Sequence, residues 1–111
     1  MEKLDIQWLK HPKQAQVSIG DICSCLCTFY NNGKANIMVI DSVWTDEEHR
    51  NRGYGTSLMH AAIDFAKEQK ADCVELVVNR DNSLAKNVYE RVGMTLTNKD
   101  LYRLILNRWK T

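Results

Sequence analysis

Arg50-Asn51-Arg52-Gly53-Tyr54-Gly55-Thr56 is the stretch on which the reading of this chain turns. After it the apolar residues take up helical spacing. Leu58, Ala61, Ala62, Phe65 and Ala66 form one stripe, with Ser57, His60, Asp64, Lys67 and Glu68 opposite, which predicts a helix from Thr56 to near Lys70. Before it lies the polar segment Thr45 to Arg52, entered from a strand-like run, Ala35 to Trp44. The first turn of a helix leaves about four backbone N–H groups without partners, at the positive end of the helix dipole. Such an end suits a phosphate. Gly53 and Gly55 let the backbone bend and come close to a ligand, and Arg50 and Arg52 add positive charge where a pyrophosphate would sit.

Two familiar phosphate loops fail on the same residues. The pattern Gly-x4-Gly-Lys-Ser/Thr is nowhere in the chain. The dinucleotide fingerprint Gly-x-Gly-x-x-Gly meets Leu58 at its third glycine. Glu75 follows at about the spacing of a ribose-binding acid, but within a strand rather than at its end.

Outward from the loop the elements are strands first, then strand and helix in alternation. Leu4, Ile6 and Trp8 alternate with polar residues and predict a short strand. Pro12 to Ile19 reads as a short helix or an irregular connection. Ile22 to Tyr30 reads as a strand, with Asn31-Asn32-Gly33 as the hairpin turn that leads into Ala35 to Trp44. Beyond the helix, Cys73 to Val78 is a mostly apolar run, as for a strand covered on both faces, and the crossover makes it a parallel neighbour. Asp81, Asn82 and Ser83 are capping residues for a second helix carrying Leu84, Ala85, Val88, Tyr89 and Val92, stopped by Gly93. Met94 to Thr97 and Leu101 to Leu106, joined by Asn98-Lys99-Asp100, read as closing strands. The expected architecture is α/β (α+β): a mixed, mostly antiparallel sheet of six or seven strands with two main helices.

Composition narrows the classes. The chain of 111 residues fits one domain, residues 1–111, small enough to be a candidate for oligomerisation such as a homodimer. Apolar residues make up 44% and charged residues 26%, which is ordinary for a globular protein and not for a disordered one. A net charge of +1 points to neither nucleic acid nor membrane, and the basic stretch Lys99 to Lys110 reads as a solvated tail. Met1 to Lys10 lacks the continuous apolar core of a signal peptide, and no run approaches the ~20 residues of a membrane span, so a cytoplasmic location is expected. Cys23, Cys25 and Cys27 alternate along a strand and fall on one face, as buried reduced thiols; with Cys73 alone, no zinc spacing exists and no metal is expected. His60 with Asp64 at i+4 reads as a solvated pair, His49 as exposed, and His11 as a turn residue before a proline.

The segment Val43-Trp44-Thr45-Asp46-Glu47-Glu48-His49 followed by the loop and Ser57-Leu58-Met59 resembles the acetyl-CoA-binding motif of the GNAT superfamily of N-acetyltransferases. Val74 to Val78, then Asn82-x-x-Ala85-x-x-x-Tyr89-Glu90-Arg91-Val92-Gly93-Met94, resembles its second motif. Their order and separation match over Ile40 to Met94, about half the chain. The resemblance implies acetyl-CoA as cosubstrate and an amine acceptor, on a protein or peptide or a small amine, attacking directly in a ternary complex. No cysteine nucleophile is needed. Backbone amides from Arg52 to Thr56, through Gly53, Tyr54 and Gly55, would hold the pyrophosphate, with Arg50 and Asn51 also among the cofactor-binding residues. Val43, Trp44 and Thr45 would pair with the pantetheine arm and offer an N–H to the thioester oxygen, a kind of contact worth about 2.7–4 kcal/mol per donor. Asn82 would hydrogen-bond the cofactor. Tyr89 would protonate the departing thiolate, and Asp41, or Glu75 as second choice, would help deprotonate the amine.

Members of that family carry two helices between the first two strands, which roof the acceptor site. Here the interval Lys10 to Asp21 is too short for them. The expectation is an acceptor side that is open, or completed by a second subunit. The contrasting readings are a non-catalytic acyl-CoA-binding or regulatory module, and an adaptor for some other phosphate ligand.

Overall fold

The computed structural model describes residues 3–8 and 13–97. His11, the expected strand Leu101 to Leu106 with its joint Asn98-Lys99-Asp100, and the basic stretch Lys99 to Lys110 lie outside the described residues. Five strands form one sheet in the order β1 (Leu4–Trp8), β2 (Gln14–Ile19), β3 (Cys23–Asn31), β4 (Asn36–Thr45) and β5 (Cys73–Leu76). A 3-10 turn over Glu47–His49 and helix α1 (Tyr54–Glu68) link β4 to β5, and α2 (Ser83–Arg91) follows. The first four strands are antiparallel to one another and β4 and β5 are parallel, as a strand-helix-strand crossover requires.

Local chemistry accounts for each junction. In the β3–β4 hairpin, Asn31 Oδ1 accepts from the Gly33 N–H at 2.7 Å, and Asn32 Oδ1 accepts from Lys34 and Ala35 at 2.9 Å each. These side chains take over hydrogen bonds that the ladder cannot supply at a turn. Gly33 sits at φ +94, which a residue with a Cβ rarely adopts. Helix α2 ends in a paired stop: the N–H of Met94 donates to Tyr89 O and that of Gly93 to Glu90 O, with Gly93 at φ +99.

The core lies between one face of the sheet and α1. Ala15, Val17, Cys23, Cys25, Cys27, Met38 and Ile40 face Leu58, Met59, Ala62, Phe65 and Ala66, and Phe29 meets Phe65 edge-on at 5.7 Å. From α2, Val88, Tyr89 and Val92 pack against the same cluster. All four cysteines are free thiols; three are buried on this face and Cys73 is exposed. Full burial of a side chain the size of Leu58 contributes about 1.5–3 kcal/mol.

Five expectations need correction. Gln14 to Ile19 is a strand, not a helix or irregular segment: Ala15 and Val17 are buried while Gln16 between them is exposed, a period of two. Cys73 to Leu76 is covered on one face only, since Cys73 and Glu75 are exposed. Residues 94–97 form no strand, so the described residues hold five strands; of the six or seven expected, Leu101 to Leu106 lies outside them. His49 is not a free surface residue. Its Nδ1 lies 2.7 Å from Asp46 Oδ2 and its ring packs edge-on to Tyr54 at 5.9 Å. His60 and Asp64 both line a groove beside β1, with no ion pair between them. Among the described residues no helix is long and apolar enough to cross a membrane, and no group of three or more His, Cys, Asp or Glu is placed to hold a metal.

Candidate active site

The site forms where β4 and β5 part company. The two strands pair only from Ile37–Cys73 to Ile40–Leu76, while β4 runs on to Thr45. At the parting, β4 bulges: Ser24 pairs with Trp44 and Leu26 with Asp41, so Ser42 and Val43 stand opposite Cys25 alone. Ser42 takes a left-handed φ of 51 there. The stretch Asp41–Thr45 therefore has β3 on one side and, among the described residues, no strand on the other. Val43 is 40% and Trp44 48% exposed along it, and Val77, just past β5, is 87% exposed. These are exposed apolar side chains beside the cleft that opens where two parallel strands part at their C-terminal ends, a usual place for a ligand.

At the far end of the cleft α1 begins. Its first residue outside the helix is Gly53, at φ +84, with no side-chain cap and no acidic residue in the first turn. A Cβ built on Gly53 or Gly55 meets nothing within 4 Å. Packing within the chain therefore gives no reason for glycine at 55, and the space before it is open. Arg50 and Arg52 are exposed beside it. Arg50 Nε donates to Thr45 O at 3.2 Å, which folds that side chain back over the end of β4. Asn51 is left-handed at φ 65. The contacts of His49 with Asp46 and Tyr54 brace this loop, and the Asp46 N–H donates to Ile22 O at 2.6 Å.

The titratable candidates divide between the two sides of the sheet. Tyr89, on α2, is half-buried, and burial first, then the Cys25 thiol, pushes its phenol above the ordinary tyrosine range. Asp41 is exposed on β4. The Cys25 thiol is raised, by its contact with Cys27 at 4.0 Å first, then by burial, and also by Asp41. Cys25 thus lies within electrostatic reach of both Tyr89 and Asp41. Glu75 is engaged elsewhere: the Tyr30 hydroxyl reaches across β4 and donates to Glu75 Oε1 at 3.3 Å. Asn82 spends its side-chain oxygen on its own helix, accepting from the Ala85 N–H at 3.1 Å. Sequence reasoning missed the bulge at Ser42 and the Tyr30–Glu75 bond. Neither has a local signal, because both depend on strand register. Two cavities of about 440 Å³ each lie between β1 and α1, sharing Leu4, Ser57 and Ala61. Arg52 and Gly53 reach one of them, but Tyr89 and Asp41 reach neither.

Comparison with known proteins places this fold, with its splayed strand pair and glycine-opened helix start, in a family. The model of the acetyltransferase (GNAT) family matches residues 6–94, and the chain belongs to that family. An uncharacterized N-acetyltransferase of Methanocaldococcus jannaschii is 35% identical over 71 residues, which are 63% of this chain and 31% of the relative. The matched segment thus spans about a third of the length of that relative. A solved structure of a "probable acetyltransferase" superposes with a TM-score of 0.74 at 19% identity, over 84% of this chain and 68% of the other. That of an acetyltransferase with acetyl-CoA from Clostridium acetobutylicum gives 0.66 at 19% identity, over 82% and 62%. At these identities the two structures show a shared fold.

Proposed function

We propose that the chain is an N-acetyltransferase that binds acetyl-CoA in the cleft between β4 and β5 and passes the acetyl group to an amine. The observation that carries this reading is the start of α1. Its first-turn amides have no side-chain cap, no acid competes for them, and two arginines flank them. An uncapped helix end with open space at Gly53 and Gly55 fits a pyrophosphate. The amides of Arg52 to Thr56 hold it, and the unpaired edge of Val43–Thr45 holds the arm that leads from it to the thioester. Asn82 adds its amide nitrogen. The Clostridium relative with acetyl-CoA supports the same choice of cosubstrate.

Acetyl-CoA supplies the activated acetyl thioester, whose carbonyl carbon the amine attacks as the carbon–sulfur bond breaks. The chain's residues manage protons and position. A lysine-like amine has a pKa of about 10.4 and must lose a proton before attack. Asp41, exposed on β4 and free of hydrogen bonds among the described residues, receives it directly or through water. Glu75, held by Tyr30, is the weaker candidate for that role. Tyr89 donates the proton that the thiolate takes up. Burial favours its neutral form, so the proton is present at any physiological pH.

The test is release of free CoA on incubation with acetyl-CoA and a panel of amines and peptides. Release that depends on the acceptor supports transfer. Binding of acetyl-CoA without release under any acceptor makes the chain an acyl-CoA-binding module instead.

A further inference from the structure

The two faces of the sheet differ in charge, and the difference identifies a partner. The face covered by α1 and α2 is apolar. On the opposite face no helix packs among the described residues. The five strands contain no lysine and no arginine. Their charged residues are Asp5, Asp41 and Glu75, all exposed. Register puts all three on the open face. Leu26 and Asp41 are partners, as are Val39 and Glu75, whereas the neighbouring Ile40 and Met38 point into the core. Ile6 packs on the core, so Asp5 beside it points away. The remaining side chains of this face are neutral: Gln16, Ser18, Ser24, Thr28 and Tyr30 can hydrogen-bond, while Leu26, Ile37 and Val39 are apolar, with Ile37 buried.

We infer that this open face docks the acceptor, and that the acceptor is an extended basic peptide carrying a second positive charge some residues from the amine that is acetylated. The inference rests on the acetyltransferase reading above. Asp41 lies at the mouth of the cleft, so the face runs directly into the reaction site. Asp5 stands on β1, three strand spacings from β4 and two residues along, or about 16 Å from Asp41. One ammonium cannot serve both carboxylates. An extended peptide rises about 3.3 Å per residue, so two cations four or five residues apart match them. By register Leu26, Gln16, Ser24 and Ser18 lie between them, and past Leu26 the amide and hydroxyls offer hydrogen bonds that a peptide backbone can use and the methylene chain of a polyamine cannot.

The experiment compares peptides with a free N-terminal amine and either lysine or alanine at the fifth position. The lysine peptide is expected to show kcat/KM about three- to fivefold higher, with the gap closing as salt is raised. Asp5→Asn should abolish that gap through KM, while leaving turnover of a small primary amine and the acetyl-CoA thermal shift unchanged. A second readout needs no chemistry. An amino-blocked lysine peptide should bind the full chain by fluorescence anisotropy in a salt-sensitive way, and less to Asp5→Asn. Equal kcat/KM for the two peptides, an undiminished gap in Asp5→Asn, or a polyamine used as well as the lysine peptide would each overturn the inference. Salt-sensitive binding of the blocked peptide with no CoA release from any acceptor would remove the transferase reading and leave the docking surface standing.

Discussion

The two helices of this protein begin in opposite ways. At α2, Asn82 turns its side chain back to take the Ala85 N–H, so the first turn satisfies part of its own demand. At α1, Gly53 has no side chain to offer, and no acid stands in the first turn. Both ends face the same physics, four orphan donors at the positive end of a dipole. One resolves it internally at a gain of about 1 kcal/mol. The other forgoes that stabilisation, and in the proposed function its donors serve the pyrophosphate. An uncapped end with arginines beside it and no Cβ in front of it suits an anion.

Four substitutions break or sharpen this contrast, with effects of decreasing size. Gly53→Asp puts a cap and a negative charge where the anion belongs; it should abolish acetyl-CoA binding in a titration while far-UV circular dichroism stays that of a folded chain. Asp is among the residues that best tolerate the left-handed φ of +84. Tyr89→Phe should lower kcat about a hundredfold with little change in acetyl-CoA affinity. In the parent protein, a fall in kcat from loss of the phenolic proton should come only above the ordinary tyrosine pKa of about 10, because burial raises Tyr89. That limb should vanish in Tyr89→Phe. Asn82→Ala removes the cap of α2 and should cost about 1 kcal/mol of stability in chemical denaturation without ligand, and more with acetyl-CoA present, because the contact of the amide nitrogen is lost as well. Gly55→Ala has the opposite sign. Its methyl enters open space and its backbone is helical, so the ligand-free chain should gain roughly 0.5 kcal/mol while acetyl-CoA binds more weakly.

What the sequence revealed, and what it hid, follows from how local each signal is. The hairpin was legible because Asn31, Asn32 and Gly33 settle their own hydrogen bonds within a few residues. Helix α1 was legible from its stripe, although Met59 is buried as deeply as Leu58 and fell outside the expected face. Strand β2 was hidden because Ala15 is weakly apolar and the alternation follows a proline after few residues. Its identity comes from pairing with β1 and β3, which no local window contains. The loop and the positions of Tyr89 and Asp41 could be read off as motifs. The bulge at Ser42, which opens the cleft, could not, nor could the hydroxyl of Tyr30 reaching Glu75 over an intervening strand. His49 was misread although Asp46 stands three residues before it, a spacing that a single turn brings into contact.

The central claim is that the uncapped start of α1 is an acyl-CoA site. Its most direct test is the thermal stability of the chain with acetyl-CoA, with CoA and with NAD at equal concentration. A ligand at about 100 times its dissociation constant adds about 2.7 kcal/mol, which for a chain of this size raises the midpoint by roughly 10 °C or more. The account predicts that rise with acetyl-CoA and with CoA, and none with NAD. No rise with either CoA species, or an equal rise with NAD, would contradict it.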